Sequence, residues 1–220
     1  MRLGIFGGTF DPIHIAHLRC AEEAREQLRL DRVLFIPAAE PPHKRHQPVA
    51  PAMHRLAMVR LAIAGHRAFR VSTVELDRPG RSYSVDTLRI LRKRLGSGNR
   101  FVFLLGLDAF REIQTWKEHR TLFTLADFGV FSRPPLRVTA LRALLPVATR
   151  QEFCYGRDRE TLRHASGSRV QFLRLTALEI SASAIRERVR RGHSIRYLVT
   201  PPVERYIARH RLYGRGSSPA

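Results

Sequence analysis

Short apolar segments alternate with amphipathic segments along almost the whole chain, and this alternation constrains the fold more than any other feature. The apolar run "RLGIF" at 2–6 stops at Gly7-Gly8, and the segment 15–30 then keeps its apolar residues on one helical face. Buried runs of this kind, joined through helices, are typical of parallel strands. We therefore predict an α/β fold: a Rossmann-like, doubly wound, mostly parallel sheet with helices on both faces, plus a C-terminal helical portion.

The same periodicities assign the other elements. Strands are predicted at 2–6, 32–37, 69–76, 100–108, 126–132 and 169–175. Helices are predicted at 15–30, 52–66, 84–95, 181–192 and 201–212, with a further one near 138–145. Ser84 is expected to cap the helix predicted at 84–95, and Ser181 the helix predicted at 181–192. We interpret 1–213 as a single domain and expect 214–220 to be a disordered tail.

The chain is strongly basic, with 39 Lys and Arg against 19 Asp and Glu and a formal net charge of +20. Such a field attracts polyanions, among them nucleotides, RNA and anionic lipid. The arginines are scattered, however, and no basic run with interleaved aromatic residues is present in the sequence. The charge is therefore compatible with a small substrate that carries phosphate, and a basic nucleic-acid-binding protein is the alternative from a different class.

The cysteines and the hydropathy of the sequence are the features that predict the cellular compartment of the protein. Cys20 and Cys154 are far apart and form no CxxC pair, which argues against a disulfide framework or a zinc site and indicates a reducing cytosol. The first apolar stretch is too short for a signal peptide, and no apolar run approaches the roughly 20 residues that span a bilayer. We expect a cytoplasmic protein without a membrane partner; a homo-oligomer is left open.

The loop and helix start at 7–17, "GGTFDPIHIAH", carry the clearest chemistry. Glycines let the backbone approach a ligand, and the helix start adds the positive end of its dipole. His14 and His17 are three residues apart, so both imidazoles can donate to the oxygens of a phosphate chain and stabilise charge in a transition state. The glycines match neither GxGxxG nor the P-loop pattern. A tight turn with two surface histidines is one alternative; zinc ligation is another, although no further ligand stands at an obvious spacing.

Two segments at opposite ends of the chain carry a resemblance to a known family. "GTFDPIHIAH" and "ISASAIR" at 180–186 resemble the two signatures of the nucleotidyltransferase α/β phosphodiesterase superfamily, with Ala16 and Ala182 as small departures. The segments between them resemble the bacterial nicotinate-nucleotide adenylyltransferases in the same order: "PAAEPPHK" (37–44), "DRPGRSYSVDTL" (77–88), "GLDAFREIQTWKEHRTL" (106–122), "DFGVFSRP" (127–134) and "SIRYLVTPPVERYI" (194–207). Leu107 and Pro135 depart from the family pattern, and the resemblance weakens across 135–168.

The resemblance implies a reaction. ATP would transfer its adenylyl group to nicotinate mononucleotide, giving deamido-NAD and pyrophosphate, with Mg²⁺ held mainly by the ATP phosphates and water. The attacking phosphate is already an anion, so direct in-line attack needs neither a general base nor a covalent intermediate. Nicotinamide mononucleotide and phosphopantetheine are the alternative acceptors. Trp116 and the "PPHK" and "SYSVDT" segments speak against phosphopantetheine.

The resemblance also implies roles for individual residues, and no protein-held metal site is among them. His17 is expected nearest the transferred phosphate, with His14 beside it. ATP is expected to contact Gly7, Gly8, Thr9, Phe10, Gly106, Asp108, Ile180, Ser181, Ser183 and Arg186. Nicotinate mononucleotide is expected to contact Lys44, Ser84, Val85, Trp116 and Arg133.

Acid is expected to be preferred over amide because backbone N–H groups around Ser84 and Val85 receive the nicotinate carboxylate. Each assignment also has an ordinary structural alternative. The alternatives are a helix cap for Ser181 and Asp108, a core aromatic for Trp116, and a solvated surface position for Lys44, His43 and Arg133.

Overall fold

The structure is a computed structural model, and it describes residues 1–40, 49–96, 98–131, 141–145, 147–156 and 160–214. Strands β1 to β8 run over Arg2–Gly8, Arg32–Pro37, Phe69–Val71, Arg100–Gly106, Asp127–Phe131, Phe153–Tyr155, Thr161–His164 and Arg169–Leu173. Helices α1 to α7 run over Ile15–Gln27, Ala52–Ala62, Ser84–Leu95, Leu107–Arg111, His119–Leu125, Ala182–Arg190 and Pro201–Arg209. Short 3-10 turns lie at Ile113–Thr115, Leu141–Leu144 and Val147–Glu152.

The strands of the described chain form one eight-stranded sheet in the order β3-β2-β1-β4-β5-β8-β7-β6. The strands from β3 to β8 in this order pair in parallel, and β7 and β6 add an antiparallel edge. The chain winds outward in one direction through β2 and β3 and in the other through β4 and β5. In a sheet of this kind, the carboxyl ends of β1 and β4 open a crevice at the point where the winding reverses.

Two apolar clusters cover the two faces of the sheet. One packs α3 and α5 against the central strands, with Leu88 and Phe123 fully buried. The other packs α1, α2 and α7 on the opposite face, with Ala24, Met58 and Val203 fully buried. The predicted doubly wound sheet with helices on both faces is confirmed.

Several element bounds differ from the predicted ones. Strand β3 ends at Val71 rather than at residue 76, because the chain turns at 74–77, where the Asp77 N–H donates to the Thr73 carbonyl over 2.9 Å. Ser84 does not cap α3; it is the first helical residue, and Tyr83 occupies the N-cap position without a side-chain cap. Helices α1, α2, α6 and α7 end a few residues earlier than their apolar periodicity suggests.

The region after β5 is where the predicted elements depart most from the observed ones. The helix predicted near 138–145 is a 3-10 turn over Leu141–Leu144, and residues 138–140 lie outside the described chain. The antiparallel hairpin of β6 and β7 was not predicted, because strands of three and four residues are too short to show a period. The single domain over 1–213 and the disordered tail at 214–220 stay predictions. No helix in the described part of the chain is long and apolar enough to cross a membrane.

Candidate active site

Strand β1 ends in two glycines, and the absence of a side chain has a different consequence at each. A Cβ atom on Gly8 would lie 3.0 Å from the ring of Phe10, which is buried and has a positive φ of 51°. A Cβ atom on Gly7 would meet nothing within 4 Å. Gly8 therefore lets the Phe10 ring turn into the core, whereas Gly7 leaves the backbone open to a ligand.

A pocket of about 450 Å³ lies at the carboxyl ends of β1 and β4. This volume is in the range of small-molecule sites. Predicted site residues line it from four different segments of the chain: Gly7, Gly8, Thr9, Ser84, Gly106 and Trp116. Its lining also includes residues that were not predicted: Glu75, Arg81, Ser82, Tyr83, Thr87 and Lys117. Most of these lie in or next to "DRPGRSYSVDTL", so the motif itself was the signal that could have found them.

Trp116 forms part of the pocket wall and is half-buried. Its ring meets Phe103 edge to face, with 6.1 Å between the ring centroids. Lys117 follows it, pairs with Asp86 over 3.0 Å and lies 5.1 Å from the centroid of the Tyr83 ring. An aromatic face and a cation therefore stand side by side in the lining of the pocket.

The two histidines lie at the start of α1, and their geometry assigns a tautomer. His14 occupies the N-cap position and is buried, and its backbone N–H donates to Nδ1 of His17 over 3.2 Å. The two rings stack with 3.7 Å between centroids. Because Nδ1 of His17 accepts a hydrogen bond, the neutral ring carries its proton on Nε2. His17 is thereby prepared as a donor through Nε2.

A second, smaller cavity of about 60 Å³ lies beside the histidines. His14 and His17 line it together with Phe131 and Thr176. Phe6 lines both this cavity and the larger pocket. The two chambers are therefore neighbours, and the histidines face the smaller one.

The second signature segment contacts the first. Arg186 Nη1 donates to the Asp11 carbonyl over 2.7 Å, across 175 residues of sequence. Ser181 caps α6 by accepting from the Ala184 N–H over 3.1 Å, so its predicted capping role is confirmed. Ser183 is exposed, and its Oγ lies 3.1 Å from that of Ser181. The half-buried Ile180 packs against the apolar cluster that contains α1.

Asp11 is a buried centre of polar contacts in this loop. Its Oδ1 accepts from the Tyr213 hydroxyl over 2.7 Å and from the Ala50 N–H over 3.3 Å. Its Oδ2 lies 3.7 Å from Arg186 Nη1. Burial and the neighbouring Asp11 carboxylate raise the pKa of Tyr213 well above its ordinary value. The loop is thus held by α6 and by the chain just beyond α7.

Arg55, on α2, was not predicted as a site residue, although it supports the same loop. It is 2 % exposed, and it donates to the carbonyl oxygens of Thr9 (2.9 Å), Ala38 (2.7 Å), Ala39 (3.2 Å) and Ala50 (2.9 Å). Burial lowers its pKa, and the nearby Asp11 opposes that shift. The available signal was its spacing of four residues from the buried Val59, which places an arginine on the apolar face of the helix.

The remaining predicted residues have varied positions. Gly106 ends β4 and is the N-cap residue of α4, so Asp108 is not the cap; it is exposed in the first turn. Val85 is fully buried, which leaves its backbone rather than its side chain for ligand contact. Lys44, His43 and Arg133 lie outside the described residues. In the part of the chain that the structure describes, no group of three or more His, Cys, Asp or Glu side chains is placed to hold a metal ion.

Comparisons with known proteins agree with this geometry. Residues 5–188 match the model of the cytidylyltransferase-like family. A probable nicotinate-nucleotide adenylyltransferase of Geobacter sulfurreducens is 48% identical over 97% of this chain and 98% of its own, and one of Citrifermentans bemidjiense is 50% identical over the same shares. The chain belongs to the nicotinate-nucleotide adenylyltransferase family.

Solved structures of the family agree in fold. The nicotinic acid mononucleotide adenylyltransferase of Plasmodium falciparum, complexed with NaAD, superimposes with a TM-score of 0.73 at 18% identity, over 96% of this chain and 97% of its own. At that identity, the likeness concerns the fold. Family membership makes the chain a nucleotidyltransferase.

Proposed function

We propose that the chain transfers the adenylyl group of ATP to nicotinate mononucleotide by direct in-line attack, releasing pyrophosphate and deamido-NAD. The observation that carries this proposal is the pair of neighbouring chambers that share Phe6. The larger offers Trp116 and the start of α3, which suit an aromatic ring with a carboxylate. The smaller offers two imidazoles, which suit a phosphate chain.

The proposed chemistry needs positioning more than proton transfer. Both reactants are anions, so the site must hold them in line and stabilise the charge that grows at the transferred phosphorus. His17 donates from Nε2 to that phosphate, and His14 sets the ring through its backbone N–H. Ser181, Ser183 and the start of α6 bind the outer phosphates, with Arg186 anchoring α6 to Asp11. Gly7, Gly8, Thr9 and Phe10 contribute through their backbone, and Gly106, Asp108 and Ile180 complete the ATP site.

Mg²⁺ belongs to the proposal as a cofactor that arrives with ATP. The donors of this site are backbone N–H groups, hydroxyls and imidazoles, which suit phosphate oxygens. The ion would take most ligands from the triphosphate and water, and it would offset phosphate charge during transfer. Lys44 and Arg133 are proposed to attract the mononucleotide, and we propose that the reaction takes place in the cytoplasm.

A panel of acceptors tests this proposal. Purified protein is supplied with ATP and Mg²⁺ and with nicotinate mononucleotide, nicotinamide mononucleotide, phosphopantetheine or no acceptor, and pyrophosphate release is measured. We expect release with the acid to exceed release with the amide, and none above background with the other two. The His17→Ala protein, purified in the same way, controls for contaminating activity. Absence of release with both mononucleotides contradicts the proposal, and a preference for the amide contradicts the assignment of the α3 start.

A further inference from the structure

A buried carboxylate lines the larger pocket, although the proposed acceptor is an anion. Glu75 is 6 % exposed and lies in the turn after β3. A carboxylate in such a place disfavours a second negative charge unless its own charge is used by other groups. The groups that bind Glu75 therefore determine whether its charge repels an anion in the pocket.

Glu75 is bound by the hydroxyl group of Thr87 and lies near that of Ser82. Thr87 Oγ1 donates to Glu75 Oε1 over 2.7 Å. The Ser82 hydroxyl is near enough to favour the charged form of the same carboxylate. Burial raises the pKa of Glu75, while these two hydroxyls and the charge of Arg78 oppose the shift.

Both hydroxyl groups have other contacts that set the backbone. Ser82 Oγ accepts from the Ala39 N–H over 2.9 Å, which joins this segment to the exit of β2. Thr87 Oγ1 also lies 3.2 Å from the Tyr83 carbonyl. Glu75 therefore holds one residue in the first turn of α3 and lies close to another residue just before the helix start.

The N–H groups assigned to the acceptor carboxylate lie between these two residues. Ser84 and Val85 are the first helical residues of α3, and no side chain caps the helix start. An N–H group can discriminate a carboxylate from an amide only if it is aimed at the oxygen. The Thr87 hydroxyl, which is anchored on a buried carboxylate close to Ser82, supplies that aim.

We propose that Glu75 is a positioning residue that fixes the start of α3 through Thr87 and thereby sets the preference for an acceptor bearing a carboxylate over one bearing an amide. This inference rests on the proposed function. Glu75 acts without touching the acceptor, so its loss should alter acceptor binding and selectivity more than turnover.

Glu75→Gln is the first test. Glutamine keeps the size but carries no charge, so the hydrogen bond from Thr87 becomes weaker. We expect KM for nicotinate mononucleotide to rise about tenfold, kcat to stay within about threefold, and KM for ATP to stay unchanged, since a hydrogen bond to a charged group corresponds to roughly tenfold or more. The ratio of kcat/KM for acid over amide should fall by a similar factor.

Variants of Thr87 make the test independent of how Glu75→Gln folds. Thr87→Val removes one hydroxyl and should reproduce the rise in KM and the loss of selectivity, whereas Thr87→Ser restores the hydroxyl and should recover both. Asp127→Asn is the matched control: its carboxylate is 7 % exposed and accepts from the Arg169 N–H over 2.9 Å, at the opposite end of the sheet. Asp127→Asn should leave the acid-to-amide ratio unchanged.

The outcomes separate the two proposals. A wild-type protein that releases no pyrophosphate with either mononucleotide overturns the proposed function. An active wild type whose Glu75→Gln and Thr87→Val variants keep KM and the acid-to-amide ratio overturns the role of Glu75. An equal loss toward both acceptors, matched by Asp127→Asn, also overturns it, because that pattern reports general stability.

Discussion

At His17, one backbone hydrogen bond decides which ring nitrogen carries the proton. Nδ1 accepts from the His14 N–H over 3.2 Å, so Nε2 is left to donate. We expect His17→Ala to lower kcat by at least about two orders of magnitude, as the loss of a preorganised donor to transition-state charge does. KM for ATP should change much less, because the donor acts most strongly on charge that develops during transfer. Steady-state release of pyrophosphate measures both constants.

His66→Ala is the matched control for this substitution. His66 is also stacked on an aromatic ring, 3.7 Å from the centroid of Phe69, but it lies beside the edge strand β3. Its replacement should leave kcat within about twofold, as surface changes away from a site usually do. A fully active His17→Ala enzyme would mean that the histidine pair only shapes the turn.

The difference between His17 and Arg55 shows what single residues reveal in a sequence. Two histidines three residues apart at a helix start suggest phosphate chemistry directly, because spacing and residue type carry the inference. Arg55 acts on carbonyl groups from three separate segments, which meet only in the folded chain. Among the 39 Lys and Arg of this chain, nothing but its position on an apolar face distinguishes it.

At the scale of elements, the two serines at the start of α6 are both proposed to bind phosphate, but only one of them also caps the helix. Ser181 Oγ caps the helix, whereas the exposed Ser183 is in the first turn. We expect Ser181→Ala to lower the free energy of unfolding by about 1 kcal/mol, the usual effect of a lost cap. Ser183→Ala should leave stability within about 0.5 kcal/mol but raise KM for ATP. Urea denaturation and steady-state kinetics measure these two effects.

The two variants control each other. Equal destabilisation by both would contradict the capping role of Ser181. An unchanged KM for ATP in Ser183→Ala would remove Ser183 from the proposed phosphate site.

Helix α3 shows how far an element can be predicted. Its bounds, 84–95, agree with the prediction, because its apolar residues recur at a clear helical period. The assignment of Ser84 as the cap is wrong by one residue, since the cap depends on local backbone angles rather than on residue type. The direction in which the N–H groups at its start point depends on contacts with Glu75 and Ala39, which belong to other segments.

At the scale of the whole molecule, a hydrogen bond joins the far end of the described chain to the loop between β1 and α1. The Tyr213 hydroxyl donates to Asp11 across 202 residues, and its pKa is raised above its ordinary value by burial and by Asp11. An unfolded tyrosine loses its proton near pH 10, so above about pH 10 the unfolded state releases a proton that the folded state keeps. The free energy of unfolding contributed by this group therefore falls as pH rises.

Tyr213→Phe measures that contribution. The wild type should be the more stable at about pH 9, and its advantage should shrink by about 1.4 kcal/mol for each unit above about pH 10. Urea denaturation across that range gives the difference, and Tyr197→Phe, at an exposed tyrosine, controls for the change of side chain. A constant difference between wild type and Tyr213→Phe would mean that the hydroxyl is not held by Asp11.

The sequence by itself determined the doubly wound sheet, the location of most strands and helices, and the two signature segments, because periodicity and residue spacing are local properties. Only the tertiary structure decided that Arg186 contacts Asp11, that two chambers share Phe6, and that a buried carboxylate lies behind the start of α3. These are contacts between segments far apart in sequence. They depend on where packing places the carboxyl ends of the strands, which no single stretch of residues encodes.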